Sequence, residues 1–97
     1  MKIDLMKDGK KLTVLLEGRL DSFTAPELDA VLDKNLSDVD ELVLDLENLE
    51  YISSAGLRVV LKAQKVMGAG QMTVVHVNEV IMEVFDITGF VDILTIV

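Results

Sequence analysis

The segment Leu42-Val43-Leu44-Asp45-Leu46 is an almost unbroken apolar run, and few structures can accommodate it. With helical patterns on each side, it reads as a strand buried on both faces. Parallel neighbours must then be reached through helical crossovers. This points to an α/β chain, with helices packed against a mixed sheet.

The flanking segments fit that frame. Ile3 and Leu5 alternate with polar residues and predict a short strand. Asp8-Gly9 is a type I′ hairpin signal, and Leu12, Val14 and Leu16 form the returning strand. Thr24-Ala25-Pro26-Glu27 reads as a helix start, with Thr24 as cap and Glu27 completing a capping box. Pro26 is tolerated in the first turn. Leu28, Val31, Leu32 and Leu36 continue as one apolar stripe. Ser53 or Ser54 opens a second helix, with Leu57, Val60, Leu61 and Met67 towards one face and Gly68 and Gly70 at its end. Met72, Val74 and His76 alternate in a further strand. Asn78 caps a third helix with Ile81, Val84 and Phe85 inward. Gly89 stops it, with Phe90 as the apolar contact of a Schellman end. Ile93 to Val97 suggests a terminal edge strand. The expected order is β-β-α-β-α-β-α-(β), a four- to five-stranded sheet in one domain over residues 1–97.

Composition narrows the function. Apolar residues make up 51% of the 97 and aromatics only 4%, so the core is Leu, Val and Ile with Met filling gaps. The net charge of -8 serves solubility or a basic partner surface. It disfavours nucleic acid and anionic membranes, which need a basic patch. With no cysteine, disulfides and thiolate chemistry are excluded. No signal-peptide pattern or membrane-length segment occurs, so a soluble cytoplasmic protein, monomer or weak dimer, is expected.

Catalytic and metal patterns are weak. His76 is the sole histidine, and a lone strand histidine is usually structural. Asp38/Asp40 and Asp45/Glu47 lack calcium-loop spacing. No Gly-x-Ser-x-Gly occurs. Gly68-Ala69-Gly70 ends a helix rather than opening one, unlike a dinucleotide fingerprint. The expectation is no enzyme, no cofactor and no metal.

Tyr51-Ile52-Ser53-Ser54-Ala55-Gly56-Leu57-Arg58 differs from these. It leads from the most apolar strand straight into a helix. Its small residues leave the helix start open, where free N–H groups favour an anion. Ser53 and Ser54 are then either plain caps or part of an anion site, and Gly56 either permits close packing or keeps the site open. Ser54, Arg58, Lys62 and Lys65 form one helical stripe. Either Lys62 and Lys65 complement the helix C-terminal dipole, or Arg58 contacts a partner beside Ser54.

The segment Tyr51 to Arg58 closely resembles the signature of the STAS domain, in particular of stand-alone anti-sigma factor antagonists. Gly18-Arg19-Leu20-Asp21 followed by Thr24 is similar to the family's first loop. The run at 42–46 resembles its central strand, and Thr88-Gly89-Phe90 resembles its late turn. The resemblance implies the STAS fold and a partner switch. The unphosphorylated protein binds an anti-sigma factor that is a serine kinase of the histidine-kinase-like ATPase fold, and the sigma factor is freed. That kinase phosphorylates the serine matching Ser54, binding ends, and a PP2C-type phosphatase restores it. The implied partner surface comprises Asp21, Ser22, Thr24, Ser53, Ser54, Ala55, Gly56 and Arg58. Many members carry Asp before the modified serine. This chain has Ser53 there, which makes Ser53 a second candidate acceptor. The alternative within the family is a scaffold or sensor module of a stress-signalling assembly.

Overall fold

Two antiparallel strands open the chain in the computed structural model, which describes residues 1–97. β1 (Lys2–Asp8) pairs with β2 (Lys11–Leu20), Asp8 lying opposite Lys11. The two turn residues are therefore Gly9 and Lys10. Only Gly9 has a positive φ, +61°, so the turn has the sign pattern of type II′ with glycine first, not type I′.

From β2 the chain climbs across the sheet one strand at a time. α1 (Ala25–Asn35), β3 (Glu41–Ile52), α2 (Ser54–Met67), β4 (Met72–Val75), α3 (Glu79–Thr88) and β5 (Thr95–Ile96) follow. A 3₁₀ turn at Phe90–Asp92 precedes β5. The strand order is β1-β2-β3-β4-β5, antiparallel only at β1–β2. Strand content and order match the sequence expectation, with the terminal strand completing five.

This topology decides which side is covered. Right-handed crossovers that always step the same way put every helix on the same face. Leu12, Leu42 and Met72 are aligned across three strands, as are Val14, Leu44 and Val74. These side chains join Leu28 and Leu32 of α1, Leu57 and Val60 of α2, and Ile81 and Phe85 of α3 in one buried cluster. The opposite face carries Thr13, Val43 and Thr73 in one row and Leu15, Asp45 and Val75 in the next, all only partly buried. β3 is thus covered on one face, not two, because no helix returns to the other side.

One further difference is local. Leu61 and Met67 of α2 are half-buried, and Gly56, Ala63 and Gln64 fill the inner face instead. Gln64 donates from Nε2 to the Gly68 carbonyl at 2.9 Å and so closes the helix end. α3 ends as expected, with Gly89 at φ +79° and Phe90 stacked on Phe85 at 6.2 Å between ring centroids.

Candidate functional site

β3 outruns its neighbours and delivers the chain to α2. Between Asp45 and Asn48 it carries one residue more than β2 does between Leu15 and Glu17, and a second extra residue falls between Leu49 and Tyr51. Such bulges bend a strand and re-aim its side chains. Here they let Leu46, Leu49 and Ile52 all reach the core. Ser53 N–H then donates to the Leu20 carbonyl at 2.9 Å, tying the end of β3 to the end of β2.

Ser53 and Ser54 divide the work at the helix start. Ser53 is the N-cap in extended conformation, and its Oγ accepts the Gly56 N–H at 3.3 Å. It is half-buried. Ser54 is the first helical residue, fully relieved of capping and exposed. Its hydroxyl lies where unpaired N–H groups of the first turn raise the local potential.

Gly56 explains how near the helix comes to the sheet. A Cβ placed on it would lie 2.7 Å from Leu20 Cγ and 2.9 Å from Ile52 Cγ1. Only glycine fits that contact, so Gly56 is a packing residue beneath the site and not part of its surface.

Asp21 and Thr24 shape the adjoining loop. Asp21 Oδ1 accepts from the N–H groups of Phe23 (2.9 Å) and Thr24 (3.1 Å). Thr24 Oγ1 accepts from Asp21 N–H and donates to the Arg19 carbonyl, each at 2.8 Å. The expected Thr24–Glu27 capping box is absent, because the Thr24 hydroxyl is already spent on β2, and Asp21 holds the turn before α1 in its place. The Asp21 carboxyl is held below its usual range chiefly by the Phe23 N–H, with Thr24 and the Arg19 charge adding.

A carboxyl with a depressed folded pKa stabilises above its unfolded pKa and loses that contribution as pH falls through the folded value. Asp21→Asn is therefore expected to lower the melting temperature at neutral pH. The gap from the unmodified chain should begin to narrow below the ordinary aspartate value of about 3.9 and go on narrowing as the pH approaches the lower folded value. Melting curves from pH 7 to 3 test this, and a constant gap would count against a charge-held loop.

Between α1 and α2 runs a shallow groove of about 290 Å³ walled by Ser22, Pro26, Asp29, Ala55, Arg58 and Lys62. Lys62 spans it, bonded to Asp29 at 2.9 Å and Asp33 at 3.3 Å on α1. It is thus a helix–helix tie, not a complement to the end of α2. Arg58 and Lys65 have no ion-pair partner. A wider depression, about 680 Å³, sits at the far end of both helices near Leu36, Asp40 and Val66, away from the Ser54 end and without converging charge.

The STAS domain model matches residues 2–97. The chain belongs to the STAS domain family. Its relatives include BtrV of Bordetella bronchiseptica, named as a putative anti-sigma factor antagonist, 38% identical over 96% of this chain and 83% of that protein. The anti-sigma-B factor antagonist of Staphylococcus aureus is 29% identical over 97% of this chain and 90% of its own length. Among solved structures, the phosphorylated form of the Bacillus cell fate determinant SpoIIAA superposes with a TM-score of 0.77. It is 19% identical, with 99% of this chain and 91% of that one covered, and it bears on the fold alone.

On this STAS framework the expected surface divides in two. Ser22, Ala55 and Arg58 line the groove, and Ser54 is exposed one residue before Ala55. Asp21, Ser53, Thr24 and Gly56 hold them there. One surface residue escaped sequence reasoning. Phe23 is 89% exposed on the same loop. Its only signal was an aromatic between Ser22 and Thr24 outside any apolar stripe. Arg19 also sits over the Tyr51 ring at 4.2 Å, a cation–π contact that bridges the ends of β2 and β3.

A second grouping lies on the uncovered face. His76 does not extend β4. It follows the strand with φ +57°, the sole non-glycine residue in that region, and its ring is exposed. Its Nδ1 is 3.0 Å from Asp45 Oδ1, and the same oxygen accepts the Glu47 N–H at 3.0 Å. The bond to Asp45 raises the imidazole pKa, with the charges of Asp45 and then Glu47 adding.

No helix of the chain is long and apolar enough to cross a membrane.

Proposed function

We propose that the chain is an anti-sigma factor antagonist switched at Ser54. In this reading its unphosphorylated form binds an anti-sigma factor that is also a serine kinase of the histidine-kinase-like ATPase fold, which releases the sigma factor. The kinase transfers a phosphoryl group to the Ser54 hydroxyl, the complex separates, and a PP2C-type phosphatase removes the group by hydrolysis. The chain is substrate and ligand in this cycle, not catalyst, and the cycle runs in the cytoplasm.

One observation carries the choice of residue. Ser53 spends its hydroxyl on the Gly56 N–H, while Ser54 is exposed one residue on. An incoming phosphate donor meets Ser54 without breaking a cap. The names of the relatives support the class of partner. The exposed ring of Phe23 supports an apolar anchor in the contact, since aromatic side chains, phenylalanine among them, are enriched at protein interfaces.

The test is site-resolved phosphorylation. The chain is incubated with ATP and the kinase-type anti-sigma factor of its own genome, then analysed by mass spectrometry. Incorporation is expected in the unmodified chain and in Ser53→Ala, and should vanish in Ser54→Ala. Undiminished incorporation in Ser54→Ala would assign the switch elsewhere.

A further inference from the structure

We propose that Asp45, Glu47 and His76 form a binding site for one divalent first-row transition-metal ion on the uncovered face of the sheet. The candidate ligand atoms of the three residues all lie within 4.8 Å of one another. The strand register makes the meeting: Asp45 of β3 faces Val75 of β4, so His76 follows at the next position. The left-handed backbone at His76 is uncommon for a non-glycine residue.

The geometry fits a metal. Two ligands bound tetrahedrally to zinc at roughly 2.0–2.1 Å stand about 3.3 Å apart. The Nδ1–Oδ1 separation of 3.0 Å is already close to that edge. A cation taking the place of the proton between them needs only a small widening. Glu47 has an exposed side chain and can swing to complete three ligands, with water filling the remaining position.

The donor set selects the ion. Calcium and magnesium prefer all-oxygen shells, whereas imidazole with carboxylates suits zinc and its neighbours. Two carboxylates balance a divalent charge. Asp45 is further oriented by the Glu47 N–H, the kind of supporting bond that metal ligands use. A bound ion would cross-link β3 to β4 on the face that no helix covers.

Zinc chloride is the probe. Calorimetry on the whole chain should show one ion per chain, undisplaced by a large excess of magnesium. A rise in melting temperature should accompany it. His76→Asn removes the imidazole but suits the left-handed backbone, and Glu47→Gln changes an exposed group. Both should fold, as melting without zinc will show. Each should lower zinc affinity at least about tenfold, as weaker perturbations of metal sites do. Full affinity retained in either variant, displacement by magnesium, or no binding by the unmodified chain would overturn the site. None of these outcomes depends on the Ser54 switch.

Discussion

Ser54→Ala is expected to hold its anti-sigma partner as tightly as the unmodified chain, and Ser54→Asp is expected to hold it at least about tenfold less tightly. The alanine removes a hydroxyl that caps nothing, since Ser53 has that duty. The helix start therefore keeps its form. Aspartate adds a full charge at a surface that the partner must cover. A charge taken out of water without a counter-charge, or set against a like charge, costs several kcal/mol. The first-turn N–H groups return only about 0.3–1 kcal/mol of this. Phosphoserine carries about -1.5 to -2 charges, so the true modification should act more strongly than its mimic. Titration calorimetry with the cognate anti-sigma factor distinguishes the cases. Equal, tight binding by both variants would remove Ser54 from the switch.

Gly56→Val is expected to be the most damaging single change at the site, and Gly56→Ala a milder one of the same sign. A Cβ at 56 meets Leu20 Cγ at 2.7 Å and Ile52 Cγ1 at 2.9 Å. Leu20 is wholly buried and Ile52 nearly so, so neither can swing into solvent. Overpacking of this kind costs about 1–3 kcal/mol. Replacing glycine by alanine in a helix interior recovers up to about 1 kcal/mol, and less at this third position of α2. The valine adds two methyl groups and little helical preference. For a domain near this size each kcal/mol shifts the melting temperature by roughly 4–8 °C. A drop of about 10 °C in Gly56→Val is expected in thermal denaturation. An unchanged melting temperature would mean that α2 can lift from the sheet freely.

Much of the fold was legible because its signals are local. The apolar run at 42–46, the stripe from Leu28, and the glycines at 68 and 89 each act within a few residues of themselves. What failed was set by distant geometry. Thr24 has the right chemistry for a cap, yet the end of β2 takes its hydroxyl. β3 reads as buried on both faces, but the number of covered faces depends on the direction in which successive crossovers step, which no strand encodes alone. His76 reads as one more alternating strand residue. Its contact with Asp45 joins positions 31 apart in the chain. The pair Ser53 and Ser54 lay between these cases. Sequence placed both at the helix start, and only the hydrogen bond to Gly56 separates the cap from the free hydroxyl.

The close seat of Gly56 on Leu20 has a consequence for how a message would leave this end of the molecule. The first turn of α2 has no slack towards the sheet, and the Ser53–Leu20 bond pins its entry. A phosphate at Ser54 would act on a turn seated directly against the sheet. It would alter the electric field above that surface, and a partner would sense it over about 8 Å at physiological ionic strength. The protein would then work as a stamp whose ink changes and whose relief does not, and the salt content of the surrounding solution would set how far the mark can be read.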